Sequence, residues 1–211
     1  MGHMSRFLAW QLGRWSRLLK KIKIDQALAE ELYATGNYDA MYFAGIIADP
    51  KTMTAADFDR WMDSAYFYML SDYVVAVTLA ESPIAQEVAD AWIASGEELK
   101  MSAGWSCYCW LLGNRKDSEF SESKLASMLD AVNNTIHTAP ERTKSAMNNF
   151  LYTVAISYVP LHDKAVAAAQ AVGPVEMKRD NKKSTTLNAY ENIQKELDRG
   201  KLGFKRKYVR C

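Results

Sequence analysis

The residues best suited to chemistry in this 211-residue chain are one carboxylate and the aromatic side chains around it. Asp72 closes the run Tyr66-Phe67-Tyr68-Met69-Leu70-Ser71-Asp72, and on a helix Tyr68 and Asp72, four apart, share one face. An acid in an apolar helix must offset its lost hydration, either by accepting hydrogen bonds from a neighbouring helix end or by facing a cleft. Trp105 and Trp110, with Asn148 and Asn149 farther on, would line the same concave side if the helices that carry them stack side by side. Other catalytic patterns are missing: there is no glycine-rich phosphate loop, HExxH, GxSxG or CxxC. Cys107 and Cys109 point about 200° apart on a helix and cannot share a metal ion. Outside the first four residues the histidines are His137 and His162, so neither a metal nor a cofactor is expected.

The elements that must position these residues are helices. From Asp25 to Val172 apolar residues recur at steps of three and four, and Gly36-Asn37, Asp49-Pro50, Ser82-Pro83, Gly96, Gly113-Asn114, Ala139-Pro140 and Gly173-Pro174 fall at the joints. Thr54 with Asp57, and Ser121, are placed to cap helix starts. Amphipathic helices alternate with helices that are apolar nearly all round, and the latter end at Ala48, Ala80, Leu112 and Tyr158, spaced 32, 32 and 46 residues. That degenerate period predicts an all-α, HEAT-like α-solenoid of antiparallel helix pairs over 25–175, with a closed helical bundle as the alternative. Residues 1–4, MGHM, read as a cloning scar, and 5–24 as a basic amphipathic first helix. Such a helix suits docking on the body better than a transit peptide or a membrane surface. Residues 176–211 form a basic extension: a loop over 178–186, a helix over 189–199 and the tail FKRKYVRC.

Charge is distributed unevenly behind a net +1. Residues 1–24 carry six Lys or Arg and no acid, and residues 178–211 carry eleven against four acids. The stretch between them holds nine bases and 21 acids, a net −12. The basic ends suit phosphate, with Arg14, Arg17, Lys20, Lys21, Lys205, Arg206, Lys207 and Arg210 as candidate contacts to a DNA backbone. No run of eighteen apolar residues exists, so no membrane partner is expected, and three cysteines point to a reducing, cytoplasmic setting.

The segments ELYATGNYDAMYFAGIIADP, SDYVVAVTLAES, SAGWSCYCWLLGN, AMNNFLYTVAISYVPL and GKLGFKRKYVRC resemble the AlkD-like DNA alkylation-repair family of HEAT-like repeat alkylpurine DNA glycosylases. The resemblance runs from about Leu32 to the end, leaves the first 24 residues outside, and has the Arg-Cys tail as its most specific piece. It implies a DNA partner, duplex and alkylated or branched, and a cleft of two tryptophans, an aspartate and an arginine in which the aspartate stabilises the cationic sugar left by a departing alkylpurine. Carried over by motif, the aspartate is Asp72, the tryptophans fall on Tyr68 and Asn149, and the arginine on Ser102. Trp105 completes the expected cleft. With arginine and tryptophan replaced, two readings follow: a DNA-binding protein of the repair type that excises cationic N3- or N7-alkylated purines, or a non-catalytic solenoid that binds DNA structures or scaffolds proteins.

Overall fold

The computed structural model describes residues 18–179 and 182–210. The helices form two rows. Outer helix α1 (Gln26–Ala34) packs on inner helix α2 (Tyr38–Ile47), and α3 (Ala55–Asp63) on α4, a continuous run of Tyr68–Leu70, Ser71–Val75 and Ala76–Ala80. Next come α5 (Ala85–Ala94) on α6 (Glu98–Leu112) and α7 (Glu122–Thr135) on α8 (Glu141–Ser157). The inner helices touch in sequence order, α2 to α4 to α6 to α8, which is the solenoid and not the closed bundle. Their ends at Ile47, Ala80, Leu112 and Ser157 lie within one residue of the expected ones. Thr54 and Asp57 form the predicted capping box, and the Ser121 hydroxyl accepts from the Lys124 amide.

The core lies between the rows, around Phe58, Trp61, Tyr108 and Phe150. The outer row is also joined by a repeated polar device. Glu30 of α1 accepts from the Trp61 indole of α3, Asp59 of α3 from the Trp92 indole of α5, and Asp130 of α7 from Lys164 on the next helix, α9 (His162–Val172). Asp90 of α5 joins the series by pairing with Lys124 of α7. Four of the body's 21 acids, one on each of these outer helices, thus take a donor from the next outer helix.

Two expectations change in the C-terminal extension. The basic stretch 178–186 is not a loop: β1 (Val175–Arg179) pairs antiparallel with β2 (Lys182–Leu187), with Val175 opposite Leu187 and Met177 opposite Thr185. Buried Val175 and Met177 supply the alternation that anchors the hairpin, and they precede the polar window. After α10 (Ala189–Leu197), the tail is not a free basic arm. It crosses the C-terminal ends of the inner helices in reverse order. The Gly203 amide donates to Ile156 O at 2.7 Å, Lys205 Nζ to Leu112 O at 2.7 Å, and the Arg206 amide to Gly113 O at 2.6 Å. Arg210 then donates to Gly45 O and Ala48 O beside the end of α2, and clamps Glu81 after α4 through Nε and Nη2. Helix ends expose carbonyls without partners and partial negative charge, and cationic side chains answer both. This is why Lys205 and Arg210, expected on phosphate, are turned inward.

Candidate functional site

Asp72 lies in the middle of α4, where the helix widens to a π turn over Ser71–Val75. The Ala76 amide reaches back to Ser71 O, and Asp72 O accepts the Trp110 indole N–H of α6 at 3.1 Å. A π turn of this kind redirects side chains and recurs at functional sites. The Asp72 carboxylate is 2% exposed and every oxygen is engaged. Oδ1 accepts from the Ser71 hydroxyl at 2.8 Å; Oδ2 accepts from Ser102 Oγ at 2.9 Å and from Arg142 Nε and Nη2 at 3.0 and 2.9 Å. Burial pushes the carboxyl above the usual carboxylate range, while the Arg142 guanidinium and the two hydroxyls pull it down.

Three helices therefore assemble the site: α4 with Tyr68 and Asp72, α6 with Ser102, and α8 with Arg142. Arg142 has no place in the sequence-derived set. Its guanidinium lies 3.9 Å over the Tyr68 ring, and its backbone amide is anchored on Glu98 at the start of α6. Trp105 does not join. It is 3% exposed and packs edge-on against Phe150 in the core, because its direction on α6 points into the seam with α8. Asn149 is exposed and lines a cavity together with Trp110 and Asp72. Trp110, named beside Trp105 in the sequence, is half-buried and forms part of that cavity's wall.

Of the basic candidates, Arg14 and Arg17 lie outside the described residues. Lys20 and Lys21 are exposed on the helical turn 18–22, whose Leu19 and Ile22 pack on the core. Arg206 and Lys207 are exposed in the tail, with Arg206 stacked 4.9 Å over Trp110. Among the described residues no group of three His, Cys, Asp or Glu side chains is gathered closely enough to hold a metal ion, and no helix is long and apolar enough to cross a membrane.

A model of the DNA alkylation repair enzyme family matches residues 2–193. The chain belongs to that family. The match takes in residues 5–24, which were expected to fall outside it, and stops before the tail, expected to be its most specific piece. Within the DNA alkylation repair family, two uncharacterised Listeria proteins are similar. Lmo0209 of Listeria monocytogenes is 26% identical over 195 residues, and Lin0241 of Listeria innocua 25% over 193; each alignment covers 90% of this chain, and 84% and 83% of theirs. A solved structure with 78% identity and a TM-score of 0.92 covers 94% of this chain and 85% of that one. It is described as a new family related to the HEAT-like repeat DNA glycosylases with affinity for branched DNA structures. The HEAT-like fold is thus common to both. As a member of the DNA alkylation repair family, this chain holds a guanidinium on Asp72, but from Arg142 of α8, with a serine at the position where the arginine was expected.

Proposed function

We propose that this protein binds DNA, with preference for branched structures, and does not excise bases. The observation that carries the reading is the closed state of Asp72. A carboxylate that stabilises a developing sugar cation must meet it through at least one free oxygen in a pocket the nucleotide can enter. Here the carboxylate is buried, and Ser71, Ser102 and Arg142 occupy it. Its negative charge is already matched by a guanidinium, and the same guanidinium lies across the Tyr68 ring that would meet the deoxyribose. The similarity at 78% identity to a protein with affinity for branched DNA supports the choice of partner.

Phosphate attraction falls to exposed bases that hold no carboxylate among the described residues: Lys20 and Lys21 at one end, Lys178 on the hairpin, Arg206 and Lys207 on the tail. Such contacts are sequence-independent and weaken with salt. The test is a titration of three-way junction, four-way junction and linear duplex at two salt concentrations, beside a base-release assay on methylated DNA. Junctions are expected to bind more tightly than duplex, Arg206→Ala and Lys207→Ala each to lower the salt slope by about one, and no 7-methylguanine or 3-methyladenine to be released. Release that disappears in Asp72→Asn would overturn the non-catalytic half. Absence of binding at low salt would overturn the DNA half.

A further inference from the structure

Between α4, α6, α8 and the tail lies a cavity of about 350 Å³, within the size range of small-molecule sites. Its walls include Trp110, Tyr152 and Phe204; Ser106 and Asn149 also line it, and Arg206 stands over the Trp110 ring. Folding alone does not account for this lining. Phe204 is 50% exposed, although the tail that carries it is pinned on both sides by Gly203 and Lys205. The Asn149 amide and the Ser106 hydroxyl hold no side-chain hydrogen bond among the described residues. Flat aromatic walls with an unengaged amide and hydroxyl suit a planar heterocycle whose edge carries donors and acceptors. The Arg206 guanidinium already uses the Trp110 face as a planar cation does, and it can shift from there to an incoming phosphate.

We propose that this cavity receives one unpaired nucleobase of a DNA strand, stacked on Tyr152 and Trp110, with its edge against Asn149 and Ser106 and its phosphate at Arg206. The inference rests on the reading that the protein binds DNA and adds what distinguishes a branch from a duplex: a branch point offers bases freed from their stack. The cavity adjoins Asp72, which lines it beside Trp110, but the Asp72 carboxylate oxygens are already taken by Ser71, Ser102 and Arg142.

The experiment places 2-aminopurine at an unpaired position of a three-way junction and follows its fluorescence on titration with the full chain. Stacking in the cavity is expected to quench it several-fold. Tyr152→Ala and Asn149→Ala, checked for unchanged melting, are expected to reduce the quench. Tyr152→Ala should also weaken junction binding about tenfold, the order of one base–aromatic stack, with duplex binding unchanged. Junction binding with unaltered fluorescence, or with the same quench in both variants, would overturn the cavity assignment and leave the DNA reading standing. No binding to any DNA at low salt would remove the DNA reading itself. A third arm titrates free 2-aminopurine deoxynucleoside monophosphate: weak binding is expected, and binding as tight as to the junction would make the ligand a mononucleotide and overturn the strand assignment.

Discussion

Arg142 decides the state of Asp72. A buried carboxylate left without its cation typically costs 3–5 kcal/mol, so Arg142→Ala is expected to lose about that much in chemical denaturation. Asp72→Asn in the same background should recover part of the loss. The pH dependence has a definite sign. Without Arg142 the Asp72 carboxyl, already pushed up by burial, rises further, and a group whose folded pKa exceeds its unfolded one stabilises only below the unfolded value. The stability gap between Arg142→Ala and the parent should therefore be small at acid pH and widen as pH rises through and above the ordinary carboxylate range. A gap independent of pH would mean that Arg142 acts through packing on Tyr68 alone. Asp72 and Tyr68 were legible in the sequence because an acid in an apolar helix demands an explanation. Its partner was not, since Arg142 stands 70 residues away in a first turn beside Glu141, where it reads as a surface charge. The available signal was the demand itself: a buried acid needs one of the nine cations of the body.

At the scale of elements, helix ends, caps and the inner and outer rows were legible because they follow from local periodicity and punctuation. The π turn at Asp72, the hairpin and the donor to each outer carboxylate were not, because each depends on which helix lies alongside. Gly104 shows the same limit. A Cβ there would lie 2.7 Å from Ala89 O and 2.8 Å from Ile93 Cγ1, so α5 and α6 approach as closely as a bare backbone allows. Gly104→Ala is expected to destabilise by about 1–3 kcal/mol despite its better helix propensity, because the obstruction includes backbone that cannot swing aside. An unchanged or higher denaturation midpoint would show that the pair can separate without loss. The outer carboxylates also give part of the acidic middle of the chain a structural use: Glu30, Asp59, Asp90 and Asp130 hold neighbouring helices.

For the whole molecule the tail matters most. Its composition is that of a nucleic-acid-binding arm, and composition alone cannot reveal that a row of helix ends waits for those same cations. Arg210→Ala removes the contacts to Gly45 O, Ala48 O and Glu81 together and should cost about 2 kcal/mol, read as a melting temperature lower by about 4–8 °C. A melting point unmoved by that substitution would show the tail to be loosely laid on the body. Solenoids are ordinarily open at both ends and flex like a coil spring. Here the last residues return to the second helix, as a string joins the tips of a bow. The curvature of the inner face is thereby set by the chain itself, and the width of that face becomes a property of the tail's length.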